Sequence, residues 1–137
     1  MPSAEQINKI LTGKFGDKIL EFKPDAPDPY IKVEREFLGD IAAYLKTDKE
    51  LLFDSLMCLT GIDYESYFEV VYNLYSMKHK HKITIKVECE SEKPEVPSVS
   101  KVWKTANWHE REAYDLLGIV FKGHPDLRRL LLSDEWP

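Results

Sequence analysis

The segment Ile83–Cys89 limits the possible folds more than any other part of this chain. Ile83, Ile85, Val87 and Cys89 alternate with Thr84, Lys86 and Glu88. A period of two puts one set on each face of a strand, so this strand has one apolar side to bury and one polar side to leave out. A second run rich in Val, Tyr and Phe, Phe68–Met77, precedes it. Between them lies Lys78-His79-Lys80-His81-Lys82, which reads as a solvated hairpin tip. An isolated hairpin is marginal in water. The apolar face therefore needs further strands beside it and helices over it.

The flanks supply both. Ser3 and Gln6 have the S-x-x-Q spacing of a capping box, and Ile7, Ile10 and Leu11 follow at helical spacing. Gly13 reads as that helix's stop. A strand is expected at Ile19–Phe22. Three prolines in residues 24–29 impose a loop, because proline cannot donate to a central ladder. Tyr30–Arg35 reads as the next strand and Glu34–Lys46 as a helix with the stripe Phe37, Ile41, Tyr44 and Leu45. Residues 51–64 read as a buried strand, with a helix as the alternative, and residues 90–98, with two prolines, as a surface loop. Val99–Thr105 reads as a short helix. A further helix starts at Asn107 as N-cap, Glu110 completing an N-x-x-E capping box. It buries Ala113, Leu116, Leu117 and Val120 and ends at Gly118. The expected architecture is α+β: a helix–two strands–helix–three strands core with a mostly antiparallel or mixed sheet, followed by C-terminal helices and a docking tail.

Composition narrows the function. With 137 residues the chain fits one domain, and 43% hydrophobic residues provide a core. Charged residues reach 31%, so much of the surface is ionic, yet the net charge of -5 argues against a nucleic-acid binder. Cys58 and Cys89 are far apart and form neither a disulfide framework nor a four-cysteine cluster site. Two such thiols fit a reducing compartment. The N-terminus has no basic region before an apolar run, so no signal peptide is expected. No apolar stretch approaches the roughly 20 residues of a membrane span, so membrane contact is expected only through another chain.

The chemistry-bearing residues crowd the C-terminus. Glu110, Arg111, Glu112 and Asp115 fall within six positions. Acids near a helix start complement its dipole, and Arg111 and Asp115 are an i, i+4 pair, so capping and surface pairing account for them without catalysis. His79 and His81 sit among three lysines with no Cys, Asp or Glu to complete a metal set. Cys58 and Cys89 lie in apolar surroundings typical of inert thiols. No nucleophile elbow, phosphate loop or dinucleotide fingerprint occurs. Residues 123–132, GHPDLRRLLL, combine a turn-forming Gly123, a Pro125 suited to a first helical position, and the leucines Leu127, Leu130 and Leu131 beside Arg128 and Arg129. With Trp136 they have the composition of a docking arm.

Glu110-Arg111-Glu112, Asp115-Leu116-Leu117, His124, Arg128 and Leu130-Leu131 together resemble the signature of the C-subunit family of respiratory complex I. LTGIDY (59–64), FEVVYNLYS (68–76) and PSVSKVWKTANW (97–108) also look like that family. The resemblance is good over roughly residues 50–137 and loose before that. It implies a non-redox scaffold subunit of the peripheral arm of an NADH:quinone oxidoreductase, on the cytoplasmic side of the energy-conserving membrane. It implies no cofactor in this subunit, with flavin and iron–sulfur clusters in partner subunits. The implied partners are the large D-subunit, which carries the quinone site, and the iron–sulfur B-subunit. On that reading Glu110, Arg111, Glu112 and Asp115 shape the junction, and His124, Pro125 and Asp126 fix a turn. Leu127, Arg128, Arg129, Leu130, Leu131 and Trp136 then carry the contact. The expected division is an α+β domain over residues 1–122 and a docking segment over 123–137, mobile or lodged on a neighbouring chain when the subunit is alone. Many members run on with a basic extension, whereas this sequence stops at Pro137. Two rival readings remain open at this stage. One is a small acid/base or metal-assisted enzyme built on His109, Glu110 and Glu112. The other is a binding module using the hairpin lysines for an acidic partner.

Overall fold

The computed structural model describes residues 3–124. The expected hairpin is its centre: β4 (Tyr67–Ser76) pairs antiparallel with β5 (His81–Glu90) through ten consecutive residue pairs. Its core face carries Val70, Tyr72, Leu74, Ile83, Ile85, Val87 and Cys89, all buried. β3 (Ser55–Asp63) adds antiparallel to β4, with a bulge between Leu56 and Cys58. On the other side β2 (Tyr30–Val33) lies parallel to β5, and β1 (Ile19–Lys23) lies antiparallel to β2. The five-stranded sheet has the order β1-β2-β5-β4-β3 and is mixed, as expected for this α+β class.

The parallel β2/β5 pair needs a crossover, and α2 (Leu38–Thr47), after a 3-10 turn at Arg35–Phe37, begins it. α2 buries Leu38, Ile41, Ala42 and Leu45. α1 (Ala4–Phe15) starts with the predicted Ser3/Gln6 capping box and buries Ile7 and Leu11. It runs through Gly13 and stops at Gly16, whose φ of 58° suits a glycine cap. The extra turn brings Phe15 edge-on to Tyr44 of α2, ring centres 5.8 Å apart.

Four other expectations need correction. Residues 51–54 are irregular loop, not strand: Leu51 and Phe53 plug into the core, while Leu52 takes a φ of 42°. The loop over residues 90–98 contains β6 (Glu95–Pro97), which pairs parallel with β7 (Val120–Lys122). Its prolines are tolerated because the ribbon is short and they stand beside or at its ends. Residues 99–105 form turns, not a helix. Val99 and Trp103 point into the core there, and the Trp103 indole N–H donates to the Phe53 carbonyl at 2.7 Å. Finally, His81 does not belong to a solvated tip. It is 7% exposed on β5, with Nε2 2.7 Å from the Leu51 carbonyl and its ring against Phe53.

The sheet's opposite face is polar and partly ionic. Lys32 hydrogen-bonds Glu88 and lies 3.5 Å from Glu21 and 3.6 Å from Glu69, itself only 3% exposed. Burial alone would lower the Lys32 pKa, but the Glu88 hydrogen bond and the three carboxylates outweigh it and hold the ammonium well above its usual value.

Candidate functional site

The last helix, α3 (Ala106–Leu117), lies across the core face of β3. Gly61 makes that approach possible. A Cβ there would stand 2.8 Å from Leu117 Cδ1 and 3.2 Å from Ile119 Cδ1. Gly118 ends α3 in the left-handed conformation, as expected, and the chain turns into β7. This return brings His124 back beside the helix.

Asn107 is not the N-cap. Thr105 holds that position without a side-chain cap, its hydroxyl donating instead to the Leu56 carbonyl at 3.1 Å. The preceding turns supply the missing acceptors: Ala106 N–H reaches Trp103 O and Asn107 N–H reaches Lys104 O. Glu110 is thereby released from capping, and it points inward. Ala106, Glu110 and Ala113 are the buried residues of α3, with Leu117 packed partly behind them. Leu116, expected in the buried stripe, is 68% exposed, and Val120 is 37% exposed.

Glu110 is fully buried and ties three segments together. Oε1 accepts from Ser98 Oγ at 2.6 Å, and Oε2 accepts from the Val99 N–H at 2.8 Å. His124 Nε2 stands 3.9 Å from Oε1 and donates to the Asn107 carbonyl at 3.0 Å. Burial pushes the Glu110 carboxyl up to about 7, against the opposing pull of the Ser98 and Val99 bonds.

The rest of the predicted cluster is partly buried or exposed. Glu112 pairs with His109 at 3.3 Å. The Arg111 guanidinium lies 5.9 Å from the centre of the Trp108 ring. Asp115 is half-buried and engaged. Trp108 is 55% exposed, and with Glu112 and Leu116 it forms an i, i+4, i+8 stripe on the outer surface. Asp126, Leu127, Arg128, Arg129, Leu130, Leu131 and Trp136 lie outside the described residues.

Sequence reasoning missed Ser98, Tyr72, Trp108 and the exposed side of Leu116. One signal was available: Ala106, Glu110, Ala113 and Leu117 fall at i, i+4, i+7, i+11, a helical stripe with an acid inside it.

This geometry does not bring His109, Glu110 and Glu112 together in one cleft. Glu110 is sealed inside, whereas Glu112 and His109 lie on the surface. Two open surface grooves, about 370 Å³ beside Asp28, Met57 and Thr84 and about 460 Å³ beside Lys46, Trp103 and Thr105, include none of the three. Among the described residues, no group of three or more His, Cys, Asp and Glu side chains is placed to hold a metal ion.

Residues 31–137 match the family model described as "Respiratory-chain NADH dehydrogenase, 30 Kd subunit". The chain belongs to that family. The NADH-quinone oxidoreductase C-subunit of Chloroherpeton thalassium is 44% identical over 135 residues, which cover 96% of this chain and 56% of that protein. The C-subunit of Chlorobium phaeobacteroides is 40% identical, covering 93% of this chain and 79% of the relative. This chain therefore spans little more than half of the first relative and about four fifths of the second. A solved structure of the "trypsin-resistant fragment (1-134)" of Nqo5 superposes with a TM-score of 0.74 at 30% identity, covering 88% of this chain and 98% of that one. A chain of an archaeal membrane-bound sulfane sulfur reductase shares the fold, with a TM-score of 0.74 at 21% identity over 97% of this chain and 75% of that one. No helix among the described residues is long and apolar enough to cross a membrane.

Proposed function

We propose that this chain is a non-redox scaffold subunit of a complex I-type NADH:quinone oxidoreductase, docking through α3 and residues 123–137. Its partners on this reading are the large D-subunit and the iron–sulfur B-subunit, on the cytoplasmic side of the membrane that carries the complex. Flavin and clusters belong to other subunits, and this chain supports electron transfer to quinone by holding its neighbours in place. Family membership supplies the setting, and one observation supports the docking role: the helix that carries the family-like ERE sequence buries its first acid as an internal brace while leaving Trp108 and Leu116 in solvent. Exposed Trp beside Arg is the composition of an interface hot spot.

The residues divide accordingly. Glu110 is a positioning residue, since it is sealed from solvent. Arg111, Glu112 and Asp115 border the exposed stripe, and His124 anchors the start of the segment that carries Asp126, Leu127, Arg128, Arg129, Leu130, Leu131 and Trp136. Leucines contribute buried area, and guanidinium groups contribute planar, charge-assisted hydrogen bonds. Residues 1–122 form the domain and residues 123–137 its docking segment. In R128A/R129A, co-purification with the large subunit should fall sharply while the isolated chain keeps its melting temperature. Undiminished assembly of that double variant refutes the docking role of the segment.

A further inference from the structure

The buried carboxyl of α3 has a connection that docking alone does not require. We propose that Glu110 is a proton-binding switch at the base of the C-terminal segment, linked to the surface through Ser98 and Ser100, whose ionisation tightens its contact with the His124 ring. The proposal rests on the docking reading above and concerns its regulation.

The geometry is a chain of hydroxyls. Ser98 Oγ lies 2.6 Å from Glu110 Oε1 and 2.9 Å from Ser100 Oγ, and also accepts the Ser100 N–H at 3.1 Å. Ser98 has one proton and so can donate in only one direction at a time. With Glu110 ionised, Ser98 donates to the carboxylate and Ser100 donates to Ser98. With Glu110 neutral, the carboxyl O–H donates to Ser98 Oγ and Ser98 donates to Ser100. Deprotonation therefore reverses the chain. The carboxyl proton passes to Ser98, the Ser98 proton to Ser100, and the Ser100 proton to water. One proton leaves, and both hydroxyls end neutral. Ser98 and Ser100 are partly exposed, so the chain opens onto solvent.

Two titratable groups face Glu110 from the elements packed against it. Tyr72 of β4 is fully buried, with a phenol oxygen that has no hydrogen-bond partner among the described residues. Its pKa is driven well above the usual value by burial, then by Glu110 and Cys89. The other is His124, whose Nε2 is 3.9 Å from Oε1. Among the described residues no Lys or Arg forms an ion pair with Glu110, and His124 is the basic side chain beside it. Burial raises the carboxyl to about 7, so it changes charge near neutral pH. An ionised carboxylate attracts the N–H edge of the ring more strongly than a neutral carboxyl does, and the contact tightens.

The test uses the full chain and purified large subunit. Infrared spectra of the free chain should show one protonated carboxyl lost between about pH 6 and 8, absent in Glu110→Gln. The His124 ring signals in NMR should move with the same midpoint. Ser98→Ala should raise that midpoint, because it removes a bond that favours the carboxylate. Binding to the large subunit should be several-fold tighter at the upper end of this range than at the lower. Glu110→Gln and His124→Asn should each lose that dependence. A carboxyl that titrates in the ordinary range overturns the proposal. So does a midpoint unmoved in Ser98→Ala. Titration as described with pH-independent binding also overturns it and leaves the docking reading standing. Absence of binding at every pH removes the docking reading, and the proposal with it.

Discussion

Replacing Gly61 tests the packing that positions α3. An added Cβ would lie 2.8 Å from Leu117 Cδ1, 3.2 Å from Ile119 Cδ1 and 3.9 Å from Ala113 Cβ. The first two are ends of flexible side chains, so alanine displaces Leu117 modestly and should cost about 1 kcal/mol. Valine adds two methyl groups against the same helix, and overpacking of that kind costs roughly 1–3 kcal/mol. For a domain of this size each kcal/mol lowers the melting temperature by about 3–5 °C. Thermal unfolding by circular dichroism should therefore show a graded loss, about 3–5 °C for Gly61→Ala and up to about 15 °C for Gly61→Val. Urea unfolding should show a lower midpoint with an unchanged slope, because the same surface is exposed on unfolding. Binding to the large subunit should weaken in the valine variant at temperatures where it remains folded. A valine variant as stable as the parent would mean that α3 does not lie on β3 as described.

Three other variants probe separate parts of the structure. Lys32→Met removes the cation between Glu21, Glu69 and Glu88 and leaves the nearly buried Glu69, among the described residues, with Lys86 at 3.9 Å. It should lower unfolding free energy by about 1–3 kcal/mol, and no loss would show the network to be idle. Trp103→Phe deletes the 2.7 Å bond to the buried Phe53 carbonyl and should cost about 1–3 kcal/mol in chemical denaturation. An unchanged midpoint would contradict that bond. The Glu110 carboxyl binds its proton more tightly in the folded chain, at about 7, than at its ordinary value of 4.5. Its contribution to stability is therefore greatest below the lower value and declines as pH rises to the upper one, by about 3 kcal/mol in all. In Glu110→Gln that component of the pH–stability profile should vanish, and an identical profile would remove the burial argument.

The local signals read well where local chemistry decides the outcome. The alternation of Ile83–Cys89, the Ser3/Gln6 capping box and the Gly118 stop all depend on residues close in sequence, and each appears in the fold. Glu110 was misread because N-x-x-E is a local pattern, whereas its burial depends on Ser98, Val99 and His124, more than ten positions away on either side. The proline-rich stretch before residue 98 concealed β6 because its partner, β7, lies some twenty-five residues further on. His81 looked solvated among lysines, and its burial comes from Leu51 and Phe53 on a distant loop. The leucine and arginine pattern after Pro125 lies outside the described residues, so its role stays with the docking proposal.

On the proposed reading this chain holds other polypeptides together and does no chemistry alone. Affinity purification of the tagged chain from its native membrane in mild detergent, with identification of everything that accompanies it, puts that to trial. The expected outcome is stoichiometric recovery of the large and iron–sulfur subunits of a quinone-reducing complex. Recovery of the chain free of both, from membranes in which that complex is intact, would contradict it.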